Sequence, residues 1–345
     1  LEVLRGPAGM LFGSGTAAGV LNMVSKRPLT ETQREVGVQF GNWGRKQIQA
    51  DLTGALTADG DWSYRLVALQ RKSDTQVDYV PDDRSLLAPS LTWRPSAATS
   101  LTLQAMYQKD KSGTSSQFLP WEGTILPNPN GRIPASRFIG EPSDYYDSER
   151  KSFGWLFEHK FNDAWTVRQN FRVAHNENDN RYAYGDFFTI TGGWGADPVN
   201  KRLLGRITDS SLTRNRIATI DNHLEGHFAT GDVKHTLLIG ADFSHQRENV
   251  SSGFDYSVID AYAPVYGNLV EPERFALPRT TQRNAGLYVQ DQIKWNNWIF
   301  LAGLRHDRAV SGVEGSEDEK TSANTKRLAV MYALPSGWSP YVSYT

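Results

Sequence analysis

The segment His223-Leu-Glu225-Gly-His227 carries side chains that could bind a metal ion. In an extended strand, side chains two residues apart lie on the same face, so both imidazoles and the carboxylate would point the same way. This set of donors can bind zinc. The polar face of a strand that lines a water-filled space has a similar composition. We favour that second interpretation, with no metal site and with these side chains in contact with another part of the chain.

A second segment, Gly13-Ser-Gly15-Thr-Ala-Ala-Gly19, has some likeness to a phosphate-binding loop. It lacks the Gly-Lys-Ser/Thr ending, its spacing is not GxGxxG, and no helical pattern follows it. Catalytic motifs of the HExxH and GxSxG types are absent. The sequence has no cysteine, which excludes disulfides, thiolate metal sites and cysteine nucleophiles. We therefore expect a protein that is not an enzyme.

The composition indicates strands and turns. The 345 residues have a formal net charge of -1, which gives no electrostatic reason to expect a nucleic-acid partner. The longest apolar runs, such as 299–304, are far shorter than the ~20 residues of a membrane-spanning helix. The 10 Trp, 14 Tyr, 15 Phe and 30 Gly are typical of strands joined by turns. These observations predict an all-β fold.

From about residue 34 onward, apolar and polar residues alternate with the period of two that a β-strand produces. Leu101, Leu103 and Ala105, for example, alternate with Thr102 and Gln104. About thirteen segments follow this pattern, with the approximate limits 34–42, 45–56, 62–74, 85–94, 99–110, 149–161, 164–177, 208–229, 233–248, 281–295, 298–310, 325–334 and 340–345.

The connections between these segments alternate between short and long. The short ones contain Gly, Asn, Asp, Ser and Pro, which favour tight turns; they are 57–61, 95–98, 162–163, 230–232, 296–297 and 335–339. After a short first connection near 42–44, the others are long: 75–84, 111–148, 178–207, 249–280 and 311–324. This segregation is typical of an outer-membrane β-barrel with tight periplasmic turns and long outer loops.

The tryptophans provide a separate test of this interpretation. Six of the ten lie beside the short turns: Trp62, Trp93, Trp165, Trp295, Trp298 and Trp338. Amphipathic rings at one level are expected where a barrel meets lipid headgroups, although the closed end of a soluble barrel is an alternative. The polar strand faces are rich in charged and amide side chains, which a dry core could not satisfy. We therefore expect Leu101, Leu103 and Ala105 to face lipid, and Thr102 and Gln104 to face a wet or plugged lumen.

The first 28 residues read LEVLRGPAGMLFGSGTAAGVLNMVSKRP. This segment resembles the closing segment of the plug domain in TonB-dependent outer-membrane receptors. The segments DLTGAL, LPWEGT, GLYVQDQIKW and SPYVSYT are similar to barrel segments of the same family, in the same order. Within the family, the chain is most similar to the ferrichrome-type (hydroxamate) ferric-siderophore receptors.

The resemblance implies the fold and the domains. It implies an antiparallel transmembrane β-barrel of roughly 22 strands around a plug. Residues 1–30 would be the C-terminal end of the plug domain, and residues 31–345 the N-terminal part of the barrel. We expect a fragment, with the TonB-box, most of the plug and the last strands outside this chain.

The resemblance also implies a function in the outer membrane of a Gram-negative bacterium. The receptor would bind a ferric siderophore at its outer loops and plug apex, and import it by a plug rearrangement energised through TonB. Its partners would be the siderophore, the TonB complex and outer-membrane lipid, with iron present only in the ligand and no intrinsic cofactor. Alternatives are uptake of another large ligand, such as haem or cobalamin, and a barrel enzyme.

The candidate ligand-binding residues come mainly from the same resemblance. Aromatic residues on the plug apex and outer loops of ferrichrome-type receptors face the ligand, and by position these correspond to Phe12, Phe118, Tyr182 and Tyr184. Trp121, inside LPWEGT, is a further candidate on spacing alone. Phe12 stands where the family usually has Tyr, so a phenol hydrogen bond is lost there.

Overall fold

The structure is a computed structural model, and it describes residues 2–5, 13, 19–115, 117–190 and 192–345. Two short strands near the N-terminus pair with each other: β1 (Glu2–Arg5) and β2 (Gly19–Asn22). Among the described residues, fourteen further strands form one large antiparallel sheet. They are β3 (Gln33–Phe40), β4 (Lys46–Ala55), β5 (Trp62–Lys72), β6 (Asp82–Ser96), β7 (Thr99–Ser112), β8 (Tyr145–Lys160), β9 (Trp165–Gly185), β10 (Leu203–Thr230), β11 (Val233–Asp260), β12 (Phe275–Ala276), β13 (Thr280–Trp295), β14 (Trp298–Val313), β15 (Glu319–Tyr332) and β16 (Tyr341–Tyr344).

The large sheet has up-and-down topology. Each strand from β3 to β11 pairs with the next in the chain, β11 pairs with β13, and the order continues to β16. The short β12 pairs only with the outer part of β11. In the parts of the chain that the structure describes, the one helical element is a short 3-10 turn at Trp194–Ala196, and no helix is long and apolar enough to span a bilayer. The predicted all-β, antiparallel fold is confirmed.

Several strands are much longer than a bilayer crossing needs. A tilted strand crosses the apolar layer in about 9–11 residues. β10 and β11 have 28 residues each, and β9 has 21. Short turns join these strands at the end where the tryptophans lie. The opposite halves of β9, β10 and β11 would therefore project beyond a bilayer.

The predicted limits of these strands were wrong at their outer ends. Segments 178–185 and 249–260 were predicted to be loops, but they are the outer parts of β9 and β11. Alternation is weak there because both faces of a sheet above the membrane meet water or polar loops. Residues 176–181, for example, read NENDNR. Tyr182 and Tyr184 therefore lie in a strand and not in a loop.

One face of the large sheet is covered by the segment that leads from β2 to β3. The Lys26 ammonium forms an ion pair with Asp51 on β4. The Leu29 backbone N–H donates a hydrogen bond to Thr53 Oγ1, with an N–O distance of 2.9 Å. We call this face of the sheet the inner face.

Strand pairing extends the inner face across the sheet, because residues paired across antiparallel strands project to the same side. Thr53 pairs with Arg65, and Arg65 pairs with Ser90 on β6. Ser90 pairs in turn with Gln104 on β7. Gln104 therefore lies on the inner face and Leu103 on the outer face, as the alternation predicted.

This assignment predicts different effects of one substitution at adjacent residues. Leu103→Arg is expected to lower the free energy of unfolding by about 2–4 kcal/mol, because the guanidinium would enter lipid near the bilayer midplane. Gln104→Arg is expected to cost much less, because its side chain points to the inner, polar side. Urea titration of the receptor folded in detergent or lipid would measure both. Equal losses would contradict the assignment of the two faces.

Candidate functional site

Aromatic side chains cluster on the inner face at the outer ends of β8–β11. We call this cluster the aromatic patch, and it consists of Tyr146, Tyr182, Tyr184, Phe254 and Tyr256. Pairing again fixes the direction in which these side chains point. Tyr182 pairs with Asp209 on β10, and Asp209 pairs with Phe254 on β11. All of them therefore lie on one face.

That face is the inner one. Gln104 pairs with Gly154 on β8, and Gly154 pairs with Arg172 on β9. The pairing of β9 with β10 is continuous to the end of β9. Tyr182 and Tyr184 lie ten and twelve residues beyond Arg172, and even spacing in a strand preserves the face.

The rings of the patch contact one another and a loop residue. The Tyr182 ring centroid lies 5.6 Å from that of Tyr184 and 6.0 Å from that of Tyr146. Phe118, in the loop after β7, packs edge-on against Tyr184 at 5.6 Å. Phe254 and Tyr256 form a separate edge-on pair at 5.7 Å.

Gly185 allows the loop to approach β9 this closely. The Gly185 N–H donates to the carbonyl of Gln117, with an N–O distance of 3.0 Å. A Cβ at Gly185 would lie 2.5 Å from the carbonyl oxygen of Phe118, closer than backbone contacts permit. The end of β9 and the Phe118 loop can meet in this way only because residue 185 has no side chain.

The patch is open to water in spite of its apolar character. Phe254 is 65% exposed and Tyr256 is 49% exposed, and the loop residue Phe118 that packs on the patch is 56% exposed. Contiguous exposed aromatic surface is uncommon in folded proteins except where something binds. A concave wall of aromatic rings with a few polar groups suits a large, largely apolar ligand.

Asp209 provides the polar group at the centre of the patch. Its Oδ2 accepts a hydrogen bond from the Tyr184 hydroxyl at 3.4 Å. Burial raises the pKa of Tyr184 to about 12, and the negative charge of Asp209 adds to this shift. Tyr184 therefore stays a neutral phenol that donates its proton.

The outer loops are held against the sheet by a buried ion pair behind the patch. Arg206 on β10 and Glu141 in the loop before β8 are joined by an N–O distance of 2.6 Å, and their side chains are 2% and 4% exposed. Around them lies a small apolar cluster that consists of Ile133, Ile139, Trp194, Leu204, Ile259 and Ala261. This packing fixes the loop from which Phe118 reaches the patch.

The structure brings three of the five sequence-predicted site residues together: Phe118, Tyr182 and Tyr184. Trp121 is 70% exposed, and its ring forms no ring pair with the described residues. Its carbonyl instead accepts a hydrogen bond from the backbone N–H of Leu126 in a tight turn. Phe12 lies outside the described residues.

Sequence reasoning missed Tyr146, Asp209, Phe254 and Tyr256. The spacing of Phe254 and Tyr256 is the same i, i+2 pattern as that of Tyr182 and Tyr184. Because segment 249–280 was predicted to be a loop, the i, i+2 spacing did not indicate that the two rings share one face. The pairing of β10 with β11 places both residues on the inner face.

The histidines of the candidate metal segment have other partners. His223 Nδ1 lies 2.8 Å from Asp221 Oδ1, and His227 Nε2 lies 2.6 Å from Glu225 Oε1. Glu225 also forms an ion pair with Arg168 on β9. Within the described ranges, no three His, Asp or Glu side chains are arranged to hold a metal ion.

Comparison with known proteins identifies relatives of the chain. The family model "TonB dependent receptor-like, beta-barrel" matches residues 90–345. The chain is 34% identical, over 376 residues, to the ferrichrome outer membrane transporter/phage receptor of Escherichia coli K12, and 33% identical, over 356 residues, to the ferrioxamine B receptor of Salmonella typhimurium SL1344. Each alignment covers 100% of this chain and 49% of the relative. The chain thus spans about half the length of the curated relatives it matches.

Solved structures show the same fold. The siderophore receptor PiuA of Acinetobacter baumannii superposes with a TM-score of 0.84 at 20% identity, covering 99% of this chain and 53% of that one. The pyoverdine receptor FpvA of Pseudomonas aeruginosa superposes with a TM-score of 0.85 at 20% identity, covering 99% and 50%. The family match and the 34% identity show that the chain belongs to the TonB-dependent receptors, the β-barrel proteins of the Gram-negative outer membrane.

Proposed function

We propose that this chain belongs to an outer-membrane receptor that binds a ferric siderophore and imports it with energy from TonB. The aromatic patch is the observation that carries the proposal. A ferric chelate with an apolar exterior is held well by exposed ring faces and a few polar groups. Two relatives at 33–34% identity are named for ferrichrome and ferrioxamine B, which are ferric siderophores.

In this proposal Phe12, Phe118, Trp121, Tyr182 and Tyr184 contact the chelate. The ring contacts of Phe118 and Tyr184 support their assignment most directly. Trp121 would reach the chelate from the outer loop. Iron enters only as part of the ligand, and the protein breaks or forms no covalent bonds.

We further propose that residues 1–30 are the C-terminal end of a plug and residues 31–345 are barrel. Residues 22–27 and the inner face line a partly open cavity of about 990 Å³. The ion pair between Lys26 and Asp51 holds the segment to the wall. Movement of the plug, driven through TonB, would break such contacts and widen this space into a path for the chelate.

Removal of one patch ring, and of the loop ring that packs on it, tests the binding site. Phe118→Ala and Tyr184→Ala are each expected to weaken binding of the ferric chelate roughly tenfold, because truncation of a stacked aromatic in a binding site often costs more than 1 kcal/mol. The affinity of the complete receptor, measured by quenching of its intrinsic fluorescence, would show the change. A panel of ferric hydroxamates, ferric catecholates, haem and cobalamin would identify the ligand class.

The control variant is Trp298→Ala. Trp298 lies beside the short turn between β13 and β14 and packs on Tyr332, with ring centroids 4.7 Å apart. Its loss should lower stability and leave the affinity nearly unchanged. If folded Phe118→Ala and Tyr184→Ala receptors bind like the wild type, the site assignment fails. Binding of haem or cobalamin alone would exclude the siderophore function.

A further inference from the structure

The outer end of β9 extends beyond the strand that pairs with it. β8 begins at Tyr145, which pairs with Arg181, so residues 182–185 of β9 have no β8 residue opposite them. Two tyrosines of the aromatic patch, Tyr182 and Tyr184, lie in this end. On its other edge the end is paired with β10. The backbone N–H groups that point away from β10 therefore need acceptors from outside the sheet.

Asp144, the residue immediately before β8, supplies one of these acceptors. The Ala183 N–H donates to Asp144 Oδ2, with an N–O distance of 3.0 Å, and Ala183 is fully buried. The next N–H on this edge, that of Gly185, donates to the Gln117 carbonyl. Asp144 therefore continues the pairing of β8 with β9, with a side-chain oxygen in place of a backbone carbonyl.

The Asp144 carboxylate is itself firmly held. Its Oδ2 also accepts the Glu141 N–H at 2.9 Å, and the Asp144 N–H donates to the Glu141 carbonyl at 2.8 Å. Glu141 is joined in turn to Arg206 by the buried ion pair behind the patch. The Asp144 side chain is 2% exposed. A residue without an acceptor at this position would leave the Ala183 N–H buried and unpaired, which is costly.

We propose that Asp144 is a positioning residue for ligand binding, because it holds the outer end of β9 so that Tyr182 and Tyr184 present their rings to the chelate. This inference rests on the proposed function, since it assigns a further residue to the same site. Asp144 acts through the Ala183 backbone, between the two tyrosines, and does not touch the chelate. Without its hydrogen bond, the end of β9 moves and the contact of Tyr184 with Phe118 loosens.

The charges around Asp144 give this hydrogen bond a pH dependence. Arg181 on β9 has its Nε 3.6 Å from Asp144 Oδ1, and it also pairs with Glu271 of the loop after β11. Arg206 on β10 and Glu141 in the loop before β8 lie beside it as well. Burial raises the pKa of Asp144, although its two backbone hydrogen bonds and the charges of both arginines act in the opposite direction. The local packing is therefore most stable below the raised pKa, and it loses stability as the pH rises through it.

The first test compares two variants of the complete receptor. Asp144→Ala removes the acceptor, so it is expected to weaken binding of a ferric trihydroxamate about tenfold and to speed hydrogen exchange of the Ala183 N–H about tenfold. Asp144→Asn keeps an oxygen that can accept the same N–H. Its affinity should stay within about twofold of the wild type, and its Ala183 exchange should stay slow.

Glu177→Ala is the matched control. It removes a carboxylate from β9 itself, but Glu177 pairs with the largely exposed Arg214 and accepts no backbone N–H from the described residues. This variant should bind the ferric trihydroxamate like the wild type and leave the Ala183 exchange unchanged.

The second test is the pH profile of the Ala183 exchange, corrected for the intrinsic exchange rate. In the wild type, protection of this N–H should rise as the pH falls through the raised pKa of Asp144. In Asp144→Asn it should stay constant, because the amide does not titrate. If Asp144→Ala does not fold, this comparison still decides whether the Asp144 carboxylate holds β9.

Three results would overturn the role of Asp144 and leave the receptor function standing. They are equal pH profiles in the wild type and Asp144→Asn, wild-type affinity in a folded Asp144→Ala receptor, and binding by Asp144→Asn as weak as that of Asp144→Ala. Failure of the wild type to bind any ferric siderophore would instead overturn the proposed function, and the exchange data would still test the hold of Asp144 on β9.

Discussion

Replacement of Arg206 with alanine is expected to destabilise the packing of the outer loops by about 3–5 kcal/mol, because it leaves the Glu141 carboxylate buried without a cation. The Arg206 guanidinium also donates to Ser257 Oγ at 2.8 Å and to the carbonyl of Ile139 at 2.7 Å. Glu141 Oε2 accepts the backbone N–H of Gly267 at 2.7 Å. One ion pair thus joins the loop before β8, the outer ends of β10 and β11, and the loop after β11.

Hydrogen exchange at Ile139 is a direct measure of this packing. The Ile139 backbone N–H donates to Gln117 Oε1 at 2.8 Å and is buried. Its exchange should become much faster in the Arg206→Ala receptor. Arg214→Ala is the control. Arg214 lies on β10 like Arg206, but its ion pair with Glu177 on β9 is largely exposed and contributes about 1 kcal/mol or less. Unchanged exchange in Arg206→Ala would show that the pair does not hold the loops.

The Arg305→Met variant is expected to lose about 3 kcal/mol of global stability. The Arg305 guanidinium on β14 is 2% exposed and binds two carboxylates, Asp242 at 2.6 Å and Asp307 at 2.7 Å. Its carbon lies 5.4 Å from the centre of the Tyr288 ring. Methionine fills a similar volume but leaves two neighbouring carboxylates without a cation. The Asp242 and Asp307 carboxylates keep some contact with water, which limits the loss of stability.

Two further variants sharpen this prediction. Arg308→Met changes an arginine on the same strand that lies on the outer face and is exposed, and it should have little effect. Gly286→Ala keeps the arginine but places a Cβ 1.9 Å from Arg305 Nη2, so the guanidinium must move. It should therefore destabilise the receptor as well. Equal urea midpoints for the wild type and Arg305→Met would contradict the role given to this cluster.

The alternation of apolar and polar residues was enough to predict the strands within the membrane. Lipid on one face and polar groups on the other impose a period of two, and the thirteen predicted segments correspond to β3–β11 and β13–β16. Where lipid no longer covers a face, the pattern loses its cause. The short β12 and the outer ends of β9 and β11 were missed for that reason.

Part of the candidate site could be predicted from the sequence, and part could be found only in the folded structure. The positions of Tyr182 and Tyr184 came from resemblance to a family, and the structure adds that their side chains share one face. Phe254 and Asp209 are 45 residues apart in the chain and become neighbours only through the pairing of β10 with β11. No local pattern specifies that pairing register, so an aspartate between aromatic residues could be recognised only from the folded sheet.

The height of the strands places the aromatic patch well outside the lipid layer. Tyr184 lies nineteen residues along β9 from Trp165 at the turn end, which is about 63 Å of strand at ~3.3 Å per residue. At a tilt of roughly 40°, the patch stands about 48 Å above the turns, whereas the apolar band is only about 25 Å tall. In the proposed function, the chelate would therefore bind on the water side of the permeability barrier. Antibody fragments and other large competitors could reach the patch without entering the cell envelope.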